Sequence, residues 1–107
     1  MNSIEEVLGI DEFDKVINAN PLTLVDFYAS WCTPCKMQTP ILKEFQEAME
    51  KKVKLIKVDV DQNPDIANKY KVQMLPTILL FQNGQEKAKT VGLTAKATLS
   101  EILIKYL

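Results

Sequence analysis

The chain has 107 residues, 47% of them hydrophobic, enough for one compact core and too few for a linker and a second domain, so a single domain over residues 1–107 is expected. Its 13 basic residues, all lysine, nearly balance 14 acidic ones. That excludes an electrostatic nucleic-acid footprint and a polybasic membrane surface, and it removes the bidentate arginine clamps of phosphate sites. Histidine is absent, which excludes imidazole acid–base catalysis, Ser-His and Cys-His nucleophile pairs, and imidazole metal ligands.

The opening stretch Met1-Asn2-Ser3-Ile4-Glu5-Glu6 has neither a basic n-region nor an apolar h-region, and no apolar run approaches membrane-spanning length. A cytoplasmic chain with no membrane partner is expected. Ile4 to Leu8 reads as a short strand closed by Gly9, with Asp11 as the N-cap of a helix whose apolar stripe is Phe13, Val16 and Ile17. Leu22 to Ala29 is almost continuously apolar, as a strand covered on both faces would be, and should lie centrally in the sheet. From Pro34 onward Met37, Ile41, Phe45, Ala48 and Met49 recur at helical spacing, with Pro40 inside the helix.

Val53 to Val60 is a second β-branched strand, and Asn63-Pro64 supplies an N-cap and a first-turn proline for a helix through Tyr70. Thr77 to Phe81 and Glu86 to Val91 flank Asn83-Gly84, a two-residue hairpin signal, so these two strands should be antiparallel. Leu99, Ile102, Leu103, Tyr106 and Leu107 predict a closing amphipathic helix. The order βαβαβαββα predicts an α/β fold, a mixed sheet with helices on both faces.

Trp31-Cys32-Thr33-Pro34-Cys35-Lys36 follows the central strand and opens the long helix. The carboxyl end of such a strand is where an α/β sheet carries its chemistry. Cys32 would lie at the helix start, where unpaired N–H groups and the positive dipole end favour a thiolate. Lowering a thiol pKa from about 8.5 to about 7 raises its ionised fraction at neutral pH from a few per cent to half. Cys35, one turn on and less exposed, could then attack a mixed disulfide formed at Cys32. Structural zinc wants four ligands, and the chain offers two cysteines and no histidine. A structural disulfide over so short a loop would contribute little chain entropy. Asp59-Val60-Asp61-Gln62-Asn63 imitates the start of a calcium loop, but Pro64 stands at the required glycine and Tyr70 at the bidentate glutamate.

Asp26 lies in the middle of an apolar run, so desolvation should raise its pKa toward the range useful for proton transfer. Trp-Cys-x-Pro-Cys-Lys after a strand containing Asp, a later Leu75-Pro76-Thr77 before a hairpin, and Gly92 before the last helix together resemble the thioredoxin family over the whole chain. The resemblance implies a thioredoxin fold, a central mixed five-stranded sheet flanked by four helices. It implies a monomeric protein-disulfide reductase that binds no cofactor, acts on oxidised proteins, and is re-reduced by a thioredoxin reductase, a flavoprotein that draws on NADPH. Cys32 then corresponds to the nucleophile, Cys35 to the resolving thiol, Asp26 to the buried carboxylate and Lys57 to the lysine beside it. Pro76 corresponds to a cis-proline that presents the backbone of Leu75 to substrate. Trp31, Thr33, Pro34, Met74, Leu75, Gly92 and Leu93 complete the expected substrate contacts. The family usually has glycine where this chain has Thr33, which bears on the redox potential. A non-catalytic binding module and a more oxidising isomerase-like protein are the alternatives.

Overall fold

A computed structural model describes residues 4–50 and 52–107. Five strands and four helices follow in the order β1 (Glu5–Glu6), α1 (Ile10–Ala19), β2 (Leu22–Tyr28), α2 (Thr33–Ala48), β3 (Lys54–Asp59), α3 (Pro64–Lys69), β4 (Thr77–Gln82), β5 (Gln85–Val91) and α4 (Lys96–Ile104). They form one sheet in the order β1-β3-β2-β4-β5. β3 pairs in parallel with β1 and β2, while β4 runs antiparallel to both β2 and β5. The long apolar strand is thus central, as its composition predicts. Among the described residues no helix is long and apolar enough to cross a membrane.

Alternation along the strands divides the core in two. Leu22 and Leu24 of β2, Leu55 of β3, and Ile78 and Leu80 of β4 pack against Leu42 and Phe45 of α2 and Leu99 and Leu103 of α4. Val25 and Phe27, Ile56 and Val58, and Leu79 and Phe81 point the other way, against Phe13 and Ile17 of α1 and Ile66 of α3. Asp26, one step from Val25 and Phe27, therefore faces α2.

Local chemistry moves several boundaries. β1 has only two residues, because Gly9 (φ 91°) turns the chain at once and donates its N–H to Asn63 Oδ1 at 2.7 Å. Gly9 rather than Asp11 takes the N-cap position of α1, and Asp11 enters the first turn beside Glu12. No side chain caps α1; Glu12 instead accepts the N–H of Leu8, one residue before the N-cap, at 3.3 Å. Asn63 does occupy the N-cap position of α3 but makes no side-chain cap bond there. Its amide instead ties Gly9 to the Asp59 carbonyl. On α2 the buried stripe is Cys35, Gln38, Leu42 and Phe45, one residue out of step with the Met37–Ile41 pattern, and Met37 is 54% exposed. α4 ends at Ile104: the amides of Lys105 and Tyr106 bond three residues back, and Leu107 is exposed.

The β4–β5 turn places Asn83 and Gly84 at φ 50° and 83°, as a two-residue hairpin of this kind requires. A Cβ on Gly84 would also lie 2.1 Å from Asn18 Oδ1 on α1. Gly84→Ala should therefore lower stability by about 1–2 kcal/mol through left-handed strain alone. Displacement of Asn18 adds to that loss, and the denaturation midpoint reads the total.

Candidate active site

β2 delivers the chain to its carboxyl end at Tyr28, and four residues later Cys32 takes the N-cap position of α2 with extended backbone. Its Sγ accepts the Cys35 backbone N–H at 3.2 Å, so one of the orphan donors of the helix start is aimed at sulfur. Pro34 in the first turn has no N–H to leave unsatisfied. Cys32 and Cys35 are joined in a disulfide with their Cα atoms 5.3 Å apart. Thr33 and Pro34 are the residues between the two sulfurs.

Exposure hardly distinguishes the two cysteines, at 5% and 3%, contrary to the expectation of one exposed and one sheltered thiol. They differ in what they face. Cys32 lines an open groove of about 460 Å³ with Trp31, Thr33, Pro34, Val72 and Leu75. Cys35 lines a separate pocket of about 270 Å³ on the inner side, with Asp26, Tyr28, Thr39 and Lys57.

Asp26 is 1% exposed, and its Oδ1 is buried with no hydrogen-bond partner among the described residues. Burial pushes its carboxyl up to about 7, against the opposing pull of the Lys57 charge. Lys57 is the register partner of Asp26 on β3. Its Nζ lies 5.3 Å from the centroid of the Tyr28 ring.

On the groove side, Trp31 is 69% exposed, and its indole N–H donates to Asp61 Oδ2 at 2.9 Å. Asp61 is held in turn by Asp59 Oδ1, which accepts the Asp61 and Gln62 amides at 2.9 and 3.4 Å. The segment that imitates a calcium loop thus directs its oxygens at N–H groups of the protein. Among the described residues no group of three or more His, Cys, Asp or Glu side chains is gathered to hold a metal ion.

The Leu75–Pro76 bond is cis. The Pro76 carbonyl accepts the Gly92 N–H at 2.8 Å, and Gly92 (φ 86°) has no atom within 4 Å of where a Cβ would stand. Met74 and Leu93 are exposed near these residues in sequence but do not line the groove. The Gly92–Thr94 loop is pinned by a residue that hydrophobic periodicity passes over. Fully buried Gln38 donates to the Thr94 carbonyl at 2.9 Å and accepts the Thr94 N–H at 2.8 Å. The signal available in sequence was its spacing of three from Cys35 and four from Leu42. Asp61 and Tyr28 were missed as well. Each pairs with a residue far away in the chain, which spacing does not reveal.

The family model described as Thioredoxin matches residues 5–105. The chain is similar to the thioredoxin of Staphylococcus aureus, 44% identical over 96 residues that cover 90% of this chain and 91% of that protein. It is similar also to the thioredoxin of Rickettsia bellii, 44% identical over 88 residues, 82% of this chain and 84% of that one. Among solved structures, a mutant thioredoxin from Halobacterium salinarum superposes with a TM-score of 0.89 at 34% identity, covering 98% of this chain and 91% of that one. The oxidised form of mitochondrial thioredoxin 3 from Saccharomyces cerevisiae gives 0.88 at 35% identity, covering 95% and 94%.

Burial of Asp26 has a consequence for stability. Between the ordinary carboxyl value of 3.8 and about 7, the folded chain holds a proton that the unfolded chain has released. Stability therefore falls as pH rises through that window, and the full loss is present above it. Asp26→Asn should remove this slope and stabilise the protein at pH 8 by at most about 4 kcal/mol, with little effect at pH 4. Urea midpoints measured at the two pH values check the sign.

Proposed function

The chain belongs to the thioredoxin family and is a thiol–disulfide oxidoreductase, and from that premise we propose how its residues divide the reaction. In the dithiol form Cys32 attacks one sulfur of a protein disulfide, forming a mixed disulfide and releasing the other substrate sulfur as thiolate. Cys35 then gives its proton to Asp26 and attacks Cys32 Sγ. The second substrate thiolate leaves, two electrons have passed to the substrate, and the Cys32–Cys35 disulfide remains. The observation that carries this reading is the Cys35 amide directed at Cys32 Sγ across the start of α2, since that N–H favours a sulfur anion.

The separate cavities support distinct roles for the two thiols. A substrate chain in the groove reaches Cys32 beside Trp31, Thr33, Pro34 and Leu75. The backbone of Leu75, just before Pro76 and β4, is the proposed partner for a substrate by strand addition, and Gly92 leaves room for its approach. Met74 and Leu93 extend the apolar rim. Cys35 shares the inner pocket with Asp26, and Lys57 adjusts the carboxyl there.

Thioredoxin-family membership implies a reductase and oxidised proteins as partners in general. The specific cycle we propose returns the pair to the dithiol through a flavoprotein thioredoxin reductase that draws on NADPH, with the chain acting as a monomer. The proposed compartment is the cytoplasm, since a reductase of this kind needs a reducing pool to restore its thiols. A pure binding module and an isomerase-like oxidant are not favoured by relatives that carry the thioredoxin name.

Insulin reduction driven by dithiothreitol tests the division of labour. Cys32→Ser should show no turnover, and Cys35→Ser should accumulate a covalent mixed disulfide. Asp26→Asn should slow resolution by up to about 100-fold and remove the rise in rate with pH through about 7. An unchanged rate and pH profile in Asp26→Asn removes that residue from the mechanism.

Thr33 bears on the potential at which the pair works. A value in the reducing range, near about −270 mV, is expected from equilibration with glutathione. A value near about −120 mV, typical of strong oxidants, would overturn the reductase assignment.

A further inference from the structure

Sheet register sets three charged residues in a row on the face that packs against α2. Glu6 on β1 is the partner of Lys57 on β3, and Lys57 is the partner of Asp26 on β2. Burial deepens along the row, from exposed Glu6 through half-buried Lys57 to buried Asp26. Lys57 is therefore a cation between two carboxylates, yet it forms an ion pair with neither: the ion pairs among the described residues are Lys54–Glu5, Lys69–Asp14 and Lys96–Glu44. Its ammonium stands instead over the Tyr28 ring, 5.3 Å from the centroid. Tyr28 lies two residues after Asp26 on the same strand, hence on the same face, and its phenol donates a hydrogen bond to Glu6. The ring is thus fixed from β1 and presents its π face to the lysine.

Lys57 has a flexible four-carbon stem, and its register partner is a carboxyl whose Oδ1 is unpartnered. A cation in close contact with a carboxylate lowers its pKa by about one to three units, which would make Asp26 a poor proton acceptor at neutral pH. Something must hold the ammonium back. The titratable groups that share a pocket with Asp26 are Tyr28 from its own strand, Lys57 from β3, and Cys35 and Lys36 from α2, while Glu6 of β1 and Asp59 of β3 act on Tyr28. From β4 Asp26 meets the uncharged Ile78. Among the described residues only Tyr28 combines contact with Lys57 and an anchor outside the pocket.

We propose that Tyr28 is a positioning residue: its ring, anchored by Glu6, holds the Lys57 ammonium out of a close ion pair with Asp26 and so keeps that carboxyl available for the Cys35 proton. Burial and the Glu6 carboxylate both push the Tyr28 phenol up, so the ring stays neutral over the working pH range and remains a cation site. The consequence for catalysis rests on Asp26 being the proton acceptor, whereas the placement of Lys57 does not.

The test uses the oxidised protein, in which neither cysteine titrates, with ¹³C-labelled aspartate followed by NMR. Tyr28→Leu, which removes the ring, should lower the Asp26 midpoint by about one pH unit or more. Tyr28→Phe, which keeps the ring and loses only the phenol, should produce less than half of that shift. An Asp26 midpoint unmoved in a folded Tyr28→Leu protein overturns the proposal, as does a phenylalanine shift equal to the leucine one. The unmutated protein gives an independent reading: the Lys57 Cε protons should be moved upfield by the ring current, and their appearance at random-coil positions would also overturn it. Single-turnover resolution of a mixed disulfide separates the two levels. If the midpoint falls in Tyr28→Leu and the rate profile follows it, both readings stand. If the midpoint falls and the rate profile does not move, the placement of Lys57 stands and the role of Asp26 as acceptor is the one that fails.

Discussion

A carboxyl group buried in the middle of the central strand is costly to this fold, and the site is arranged around it. Asp26 faces α2 because β2 alternates, and α2 begins at the end of β2 because the cysteine segment turns the chain there. One strand therefore sets both the carboxyl and the approach to the disulfide. An ordinary core would place a leucine at position 26, continuing the row of Leu22 and Leu24. Keeping an acid there costs stability progressively as pH rises from 3.8 to about 7, and fully above it, and yields a group that exchanges protons near neutrality.

The strongest hydrophobic signals in the sequence were also the most faithful. β2 could be read as a doubly covered strand because a continuous apolar run has few other uses, and Asp26 stood out against it for the same reason. The Asn83-Gly84 turn was legible because the required backbone geometry restricts its residues so tightly. The failures came where a polar side chain does the work of an apolar one. Gln38 is fully buried and Met37 exposed, because the Gln38 amide matches both backbone groups of Thr94 and methionine has no such partner. Asp11 lost the cap of α1 to Gly9 for a related reason. Asn63, distant in the chain, claims the Gly9 amide and so fixes where the helix begins.

The cysteine pair shows a subtler limit. Spacing and the helix start predicted unequal roles, and the structure bears out the inequality of setting but not its expected form. Sheltering is nearly equal, and the difference lies in direction, toward the groove for Cys32 and toward Asp26 for Cys35. Direction depends on Val60, Val72 and Leu75 closing on Cys32 and on Asp26 and Lys57 closing on Cys35, residues distant in sequence that no local pattern brings together. The same holds for the Asp59–Asn63 segment. Its spacing resembles that of a calcium loop, yet its oxygens are engaged by the Asp61 and Gln62 amides, the Trp31 indole and Gly9.

Thiol–disulfide exchange moves protons as well as electron pairs, and this fold gives the two a separate geometry. Under the proposed division, sulfur chemistry with a partner takes place in the groove that Cys32 lines, beside an indole that Asp61 holds in place. In the proposed cycle proton transfer takes place behind the disulfide, where the carboxyl is buried and the Lys57 ammonium lies over the Tyr28 ring. If the acceptor stood in the groove, each substrate would alter its hydration and hence its affinity for the proton. Behind the helix start the proposed acceptor is lined by Tyr28, Cys35, Thr39 and Lys57, so its proton affinity is set apart from whatever occupies the groove at Cys32.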